Sequence, residues 1–290
     1  MKGLASFIMR SRVTAALFVA GTSLVPFMAW LANAALALVS LRRGALEGLI
    51  VVGGAVAVLA VIELILTGQP GGVVALLFLV WLPILLVTAV LRSTVSLPLA
   101  LTVASGMAVI LLLGWSLTVA DPEAFWQAQL AELGAEMEPE QREEIMQFFG
   151  RHLAAFLVIG LWLNILIGLL LGRYWQALLY NPGGFREEFH GFRLDWRLGL
   201  VGIAVFLASL VAGETGGLLS GLTLVFGALF LVQTVAVAHA LVVARGWGWW
   251  PLLVVYALMP FAAMPMALLG MLDTLMDFRR RLAPASDESS

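Results

Sequence analysis

RYWQALLYNPGGFREEFHGFRLDWR, residues 173–197, is a polar island between long apolar stretches. It carries the arginines Arg173, Arg186, Arg193 and Arg197, the acid pair Glu187 and Glu188, a histidine, His190, and a dense set of aromatics. Asn181-Pro182-Gly183-Gly184 is a turn signal, because glycine takes positive φ freely and proline fixes its own. A charged turn between apolar runs of membrane-crossing length predicts a loop at a membrane surface. It is either an interface anchor or a site. The fold follows from what flanks it.

The 290 residues are 62% hydrophobic and 12% charged, with a mean hydropathy of +1.02. Soluble domains average about 45–50% apolar and about 25% charged residues. No water-soluble fold hides this much apolar surface, so the composition predicts a polytopic membrane protein with the lipid bilayer as its main partner. The net charge of −2 and the single lysine, Lys2, give no basic stripe for nucleic acid. Cysteine is absent, which excludes disulfides, thiolate metal sites and cysteine nucleophiles.

Eight apolar segments emerge, at 13–41, 44–67, 70–91, 95–120, 152–172, 198–213, 217–243 and 249–276. About 20 apolar residues in a helix cross ~30 Å of hydrocarbon. The six interior segments suit one crossing each, with 198–213 on the short side. The first and last are longer and contain prolines: Pro26 in one, Pro251, Pro260 and Pro265 in the other. Proline removes an amide donor and kinks a helix, so both terminal segments are expected to be broken. The predicted fold is an all-α polytopic membrane helix bundle of about eight transmembrane segments. A signal-peptide reading of the amino terminus, with Ala32-Asn33-Ala34 as a cleavage site, is set aside: the apolar run before it is too long and resumes at once after it.

Charge then orients the bundle, since basic residues stay cytoplasmic. Arg42, Arg43, Arg92, the 173–197 loop and Arg245 fall on one side if each interior segment crosses once. The other side receives 67–72, the acidic stretch 121–150 and Glu214. If the first and last segments are bent hairpins, the terminal basic residues join the cytoplasmic side, leaving only Arg142 and Arg151 outside of the 16 basic residues. That arrangement is preferred. It divides the chain into N-terminal membrane segments 1–120, an acidic extracytoplasmic insertion 121–151, C-terminal membrane segments 152–282 with the cytoplasmic loop 173–197, and a disordered tail 283–290. In the insertion, Asp121-Pro122 and Glu138-Pro139 each begin a short amphipathic helix, by a capping acid and a proline in the first turn. The expected location is a bacterial inner (cytoplasmic) membrane.

Enzyme signatures fail. No HExxH, GxSxG or phosphate-binding loop occurs, and His152, His190 and His239 lie on separate elements, so no catalytic residue, metal or cofactor is expected. The polar residues within apolar segments are the better signal, because each costs free energy unless it is paired or wet. Asn33, Asn164, Gln233 and His239 are the candidate substrate-binding residues; interhelical hydrogen bonding is the alternative for each. Gln233 and His239, six residues apart, face about 120° from one another on a helix. Glu47 and Glu63 are expected at the interfaces. Near the carboxyl end, Asp273 and Asp277 stand one turn apart before Arg279-Arg280-Arg281, a well-built helix exit that can also pair with arginines of the 173–197 loop.

Three passages, PFMAWLANAALALVSLRRGALEG, RYWQALLYNPGGFREEF and LLGMLDTLMDFRRRL, resemble the YybS-like family of uncharacterised bacterial membrane proteins. More distantly, that family is similar to the S components of energy-coupling factor transporters and to the rod-shape protein MreD. The first likeness implies a solute-binding transport component that docks on a membrane coupling protein with ATPases, through small residues such as Ala16 and Ala20. The second implies a non-enzymatic scaffold of envelope assembly. For either, the partner-contact residues are Arg173, Asn181, Pro182, Gly183, Gly184, Arg186, Asp273, Asp277 and Arg279, together with Ala16 and Ala20. The chain departs from S components in having eight segments rather than about six and no vitamin-specific polar cluster.

Overall fold

The computed structural model describes residues 1–25, 27–69, 71–130, 139–213 and 217–282. Pro26, Glu214 and the tail expected to be disordered, 283–290, lie outside the described residues, as does 131–138 between the two insertion helices. Among the described residues every regular element is helical: α1 (Lys2–Ile8), α2 (Arg12–Leu24), α3 (Ala29–Arg43), α4 (Ala45–Thr67), α5 (Gly71–Leu76), a π-helical turn (Leu77–Trp81), α6 (Leu82–Thr94), α7 (Leu97–Thr118), α8 (Pro122–Leu130), α9 (Pro139–Tyr180), α10 (Gly184–His190), α11 (Trp196–Ala212), α12 (Leu218–Ala244), α13 (Trp250–Met276) and α14 (Phe278–Leu282). α4, the rod Gly71–Thr94 made by α5 and α6, α7, α9, α12 and α13 are the six helices long and apolar enough to cross a bilayer, so the chain is a multi-pass membrane protein. α11, at 17 residues, is the short segment.

Both terminal segments are broken, in different ways. The first resolves into α2 and α3, which pack against each other. The last is two helices joined at a kink: Ala262, with φ −123°, ψ 26°, separates the two halves of α13. Pro265 has no N–H for the carbonyl of Phe261, and its ring presses on that carbonyl, so the helical register loosens there. The break is therefore a bend rather than a loop between two helices. A second departure is α9. The short helix expected from Pro139 runs on into the fifth apolar segment, giving 42 residues in one helix. At 1.5 Å per residue that is about 60 Å, roughly twice the hydrocarbon thickness.

The chain forms two compact units, 1–104 with 161–189, and 105–160 with 190–290. α3 is the axis of the first. Its residues from Ala32 to Leu41 are all buried, and many are alanine, which lets neighbours approach. α9 meets it through Gly168 and Gly172; a methyl at Gly172 would lie 2.5 Å from Ala37 Cβ and 2.7 Å from the Ala34 carbonyl. Such contact maximises dispersion, which is what holds helices together where lipid removes the hydrophobic drive. Basic residues collect at the carboxyl end of α3. Arg43 donates to the Met9 carbonyl at 2.7 Å and Arg92 to the Leu41 carbonyl at 2.9 Å. Arg42 lies 4.2 Å over the Tyr180 ring, and Arg12 pairs with Glu47. Cations there complement the helix dipole and satisfy end carbonyls. The hairpin of α2 and α3 thus brings Arg12, Arg42, Arg43 and Arg92 to one end of the unit. Near the far end of α4, Glu63 accepts from the Gly72 and Val73 amides, capping α5.

The second unit is built on α12, which packs against α11 and α13. Gly270 abuts the Phe230 carbonyl, and Gly199 and Gly202 receive Thr274 and Phe230. Outward of these, α8 is held to the end of α7 by an aromatic cluster in which Trp115 stacks on Trp126 at 5.2 Å and meets Phe125 edge-on. Paired tryptophans suit a membrane–water interface.

Candidate functional site

The segment after α10 reads Gly191-Phe192-Arg193-Leu194-Asp195, an extended stretch whose side chains alternate. Phe192 and Leu194 are buried; Arg193 and Asp195 are exposed. Alternation of period two sends successive side chains to opposite faces, so one face docks on the second unit while the other stays polar. Asp195 caps α11 by accepting from the Arg197 amide.

Beneath this stretch lies a buried polar node. Gln233 of α12 accepts from the Leu194 amide at 2.8 Å and donates to Asp273 Oδ2 at 2.8 Å. Asp273 Oδ1 accepts from the Phe278 amide at 2.8 Å. Arg279 stands 3.9 Å from Asp273 and donates to the Phe192 carbonyl. At the rim, Arg193 forms an ion pair with Asp277 at 2.7 Å. Gln233 and Asp273 are almost wholly buried. A buried carboxylate is tolerated only when its lone pairs are filled and a cation stands near, and both conditions hold. Burial lowers the Arg279 pKa from its ordinary value, with Asp273 and Asp277 acting the other way. The node ties the amino end of α11 to the carboxyl end of α13, so 192–197 and 273–281 share one side of their unit.

The other expected residues fall into separate contacts. Asn33 donates to Asn164 Oδ1 at 2.6 Å, inside the first unit. His239 points Nδ1 at the Val235 carbonyl and its ring lies 6.3 Å from His190 and 5.9 Å from Tyr256, inside the second. Each candidate ligand therefore finds its partner within its own unit. Ala16 and Ala20 are buried within the first unit, where Ala16 Cβ lies against Gly54 of α4. The turn forms as the residue types require: Gly183 takes φ 94°, and the Gly184 amide bonds the Asn181 carbonyl at 3.1 Å. Arg186 is exposed.

Arg173 reaches from α9 to α10, with Nε 2.7 Å from Glu188 Oε2, and also donates to Gln176. Burial raises the Glu188 pKa above its ordinary value, against the charge of Arg173 and its hydrogen-bonding contact with the carboxylate. The expected pairing of the 273–277 acids with an arginine of the 173–197 loop is made by Arg193. Sequence reading missed Phe192, Leu194 and Glu188; the apolar–polar alternation of FRLD was the available signal for the first two.

A cavity of about 310 Å³ opens between α12 and the two halves of α13. Val237, Leu241, Val255, Leu258 and Leu269 give it an apolar wall, and Phe278 and Asp273 close one end. Among the described residues no group of three or more histidine, aspartate or glutamate side chains is placed to hold a metal ion. No family model, curated protein or solved structure matches the chain.

Proposed function

We propose that the protein is a non-enzymatic scaffold of the bacterial cytoplasmic membrane, of the kind its resemblance to YybS-like proteins and MreD implies, and that the 192–197 segment receives a partner protein. One observation carries the reading: the buried polar groups of the second unit are spent on fixing the 192–194 backbone, through Gln233, Asp273 and Arg279. A backbone held this firmly presents Trp196 and Arg197 outward in a constant arrangement, and pre-organisation lowers the entropy lost on binding. Arg with an adjacent aromatic is also what contact hot spots favour. The test is photo-crosslinking in living cells from positions 196 and 197. Reproducible capture of envelope-assembly proteins is expected; capture of ATPase subunits instead would sink the scaffold.

The transport reading draws on the cavity beside α13, whose volume reaches the lower limit of ligand sites. Its wall offers a polar solute no free donor, and Asn33, Asn164 and Gln233 are already hydrogen-bonded to protein. Native mass spectrometry of gently extracted protein separates the readings: a retained water-soluble small molecule favours transport.

A further inference from the structure

We propose that the cavity between α12 and α13 is a site for one acyl chain of an anionic phospholipid, whose phosphate is held by Arg281. The wall comes from Val237, Ala238 and Leu241 on one side and Val255, Leu258 and Leu269 on the other. The kink at Ala262 and the close approach at Gly270 belong to the same helix: the carboxyl half is drawn onto α12 while the amino half bends away. The lining is apolar apart from Thr234 and Asp273, both already hydrogen-bonded within the protein, so hydrocarbon suits it.

Charge selects the headgroup. Asp277 takes a left-handed conformation, φ 52°, which turns the chain so that Phe278 enters the cavity and α14 packs on α12. Arg281 lies three residues after Phe278, one helical turn along the same face. Arg281 is exposed and its guanidinium has no acidic partner among the described residues. The described acids nearest it in sequence are committed elsewhere: Asp273 to Gln233, the Phe278 amide and Arg279, and Asp277 to Arg193 and the Arg280 amide. A cation one turn beyond a residue that lines an apolar, acyl-sized groove is the charge pattern an anionic headgroup completes.

The test uses the full chain in detergent with equal amounts of dioleoyl phosphatidylglycerol and dioleoyl phosphatidylcholine, read by native mass spectrometry. One phosphatidylglycerol retained in roughly tenfold preference is expected for the wild type. Arg281→Gln should bring the ratio near one. Ala238→Trp should remove the retained lipid of both classes by filling the groove. A separate arm with inorganic phosphate distinguishes a bare phosphate site: phosphate that displaces the lipid overturns the groove's part. A wild-type ratio near one, or a ratio unmoved by Arg281→Gln, overturns the proposal. Arg281 is exposed, so its variant folds, and it decides the matter even if Ala238→Trp does not.

Discussion

At the scale of single residues, the value of a polar side chain in the membrane depends on how many partners it would orphan. Gln233→Leu removes one acceptor and one donor, leaving the Leu194 amide and Asp273 without them. At about 1–3 kcal/mol for each of the two orphaned groups, the expected loss is about 2–6 kcal/mol. Asn164→Ala strips Asn33 of one partner, in a class of contact averaging about 0.6 kcal/mol. Thermal denaturation in detergent should rank Gln233→Leu well below Asn164→Ala; the reverse order would deny the node its anchoring role. Glu188 gives a pH test. Its folded pKa is raised, so at neutral pH the ionised carboxylate is disfavoured in the native state, and native stability is gained as pH falls through that pKa. Glu188→Gln, which cannot ionise, should match or exceed wild-type stability at pH 7, and the difference should close on descent toward the ordinary value of 4.5. A gap that widens with acidification would mean that the ion pair with Arg173, not burial, governs Glu188. These residues were only partly legible in the sequence. Asn33 and Asn164 stood out as polar in apolar runs, but 131 residues separate them and no periodicity relates their helices. The facing-apart of Gln233 and His239 was computable from helical pitch, and they do serve different contacts.

At the scale of elements, close approach of backbones sets the packing. Gly172 admits the Ala34 carbonyl and Ala37 Cβ, whereas a methyl at Gly160 on the same helix would meet nothing within 4 Å. Gly172→Leu should therefore destabilise by about 1–3 kcal/mol or more as an overpacked contact, and Gly160→Leu should be near neutral. Equal effects of the two, in thermal melts of the purified protein, would mean that helix propensity rather than contact explains them. Of the eight expected segments, six are helices of crossing length and were readable because run length alone identifies a membrane helix; the first is two short helices and the sixth, α11, is short of a crossing. The fusion of the second insertion helix with the fifth segment was not. Arg142, Glu143, Glu144 and Arg151 change the polarity along α9 without changing its helix propensity, and no proline follows Pro139 within it. A polarity boundary looks like an element boundary only when a breaker accompanies it. At the other end Asn181-Pro182-Gly183-Gly184 supplies the breaker, and α9 stops at Tyr180.

At the scale of the molecule, sidedness joins the geometry to the charge rule. Arg193 with Asp277, and Arg279 with the Phe192 carbonyl, require 192–197 and 279–281 to face the same compartment, whatever path α13 takes between them. On the orientation we propose, that compartment is the cytoplasm, since the positive-inside rule favours the side on which Arg193, Arg197, Arg279, Arg280 and Arg281 collect. The wild-type chain contains no cysteine, so single introduced thiols report position without background. Arg197→Cys and Arg281→Cys are both at exposed positions, and Ala124→Cys lies exposed on α8 of the acidic insertion. In intact cells an impermeant maleimide should modify Ala124→Cys and spare the other two; in inverted vesicles the pattern should reverse. The informative failure is a split between positions 197 and 281. Labelling of one but not the other would break the ion pairs that hold α14 to the 192–194 segment, and with them the fixed surface on which the scaffold reading stands. Common labelling of both from outside would keep the geometry and invert the orientation instead.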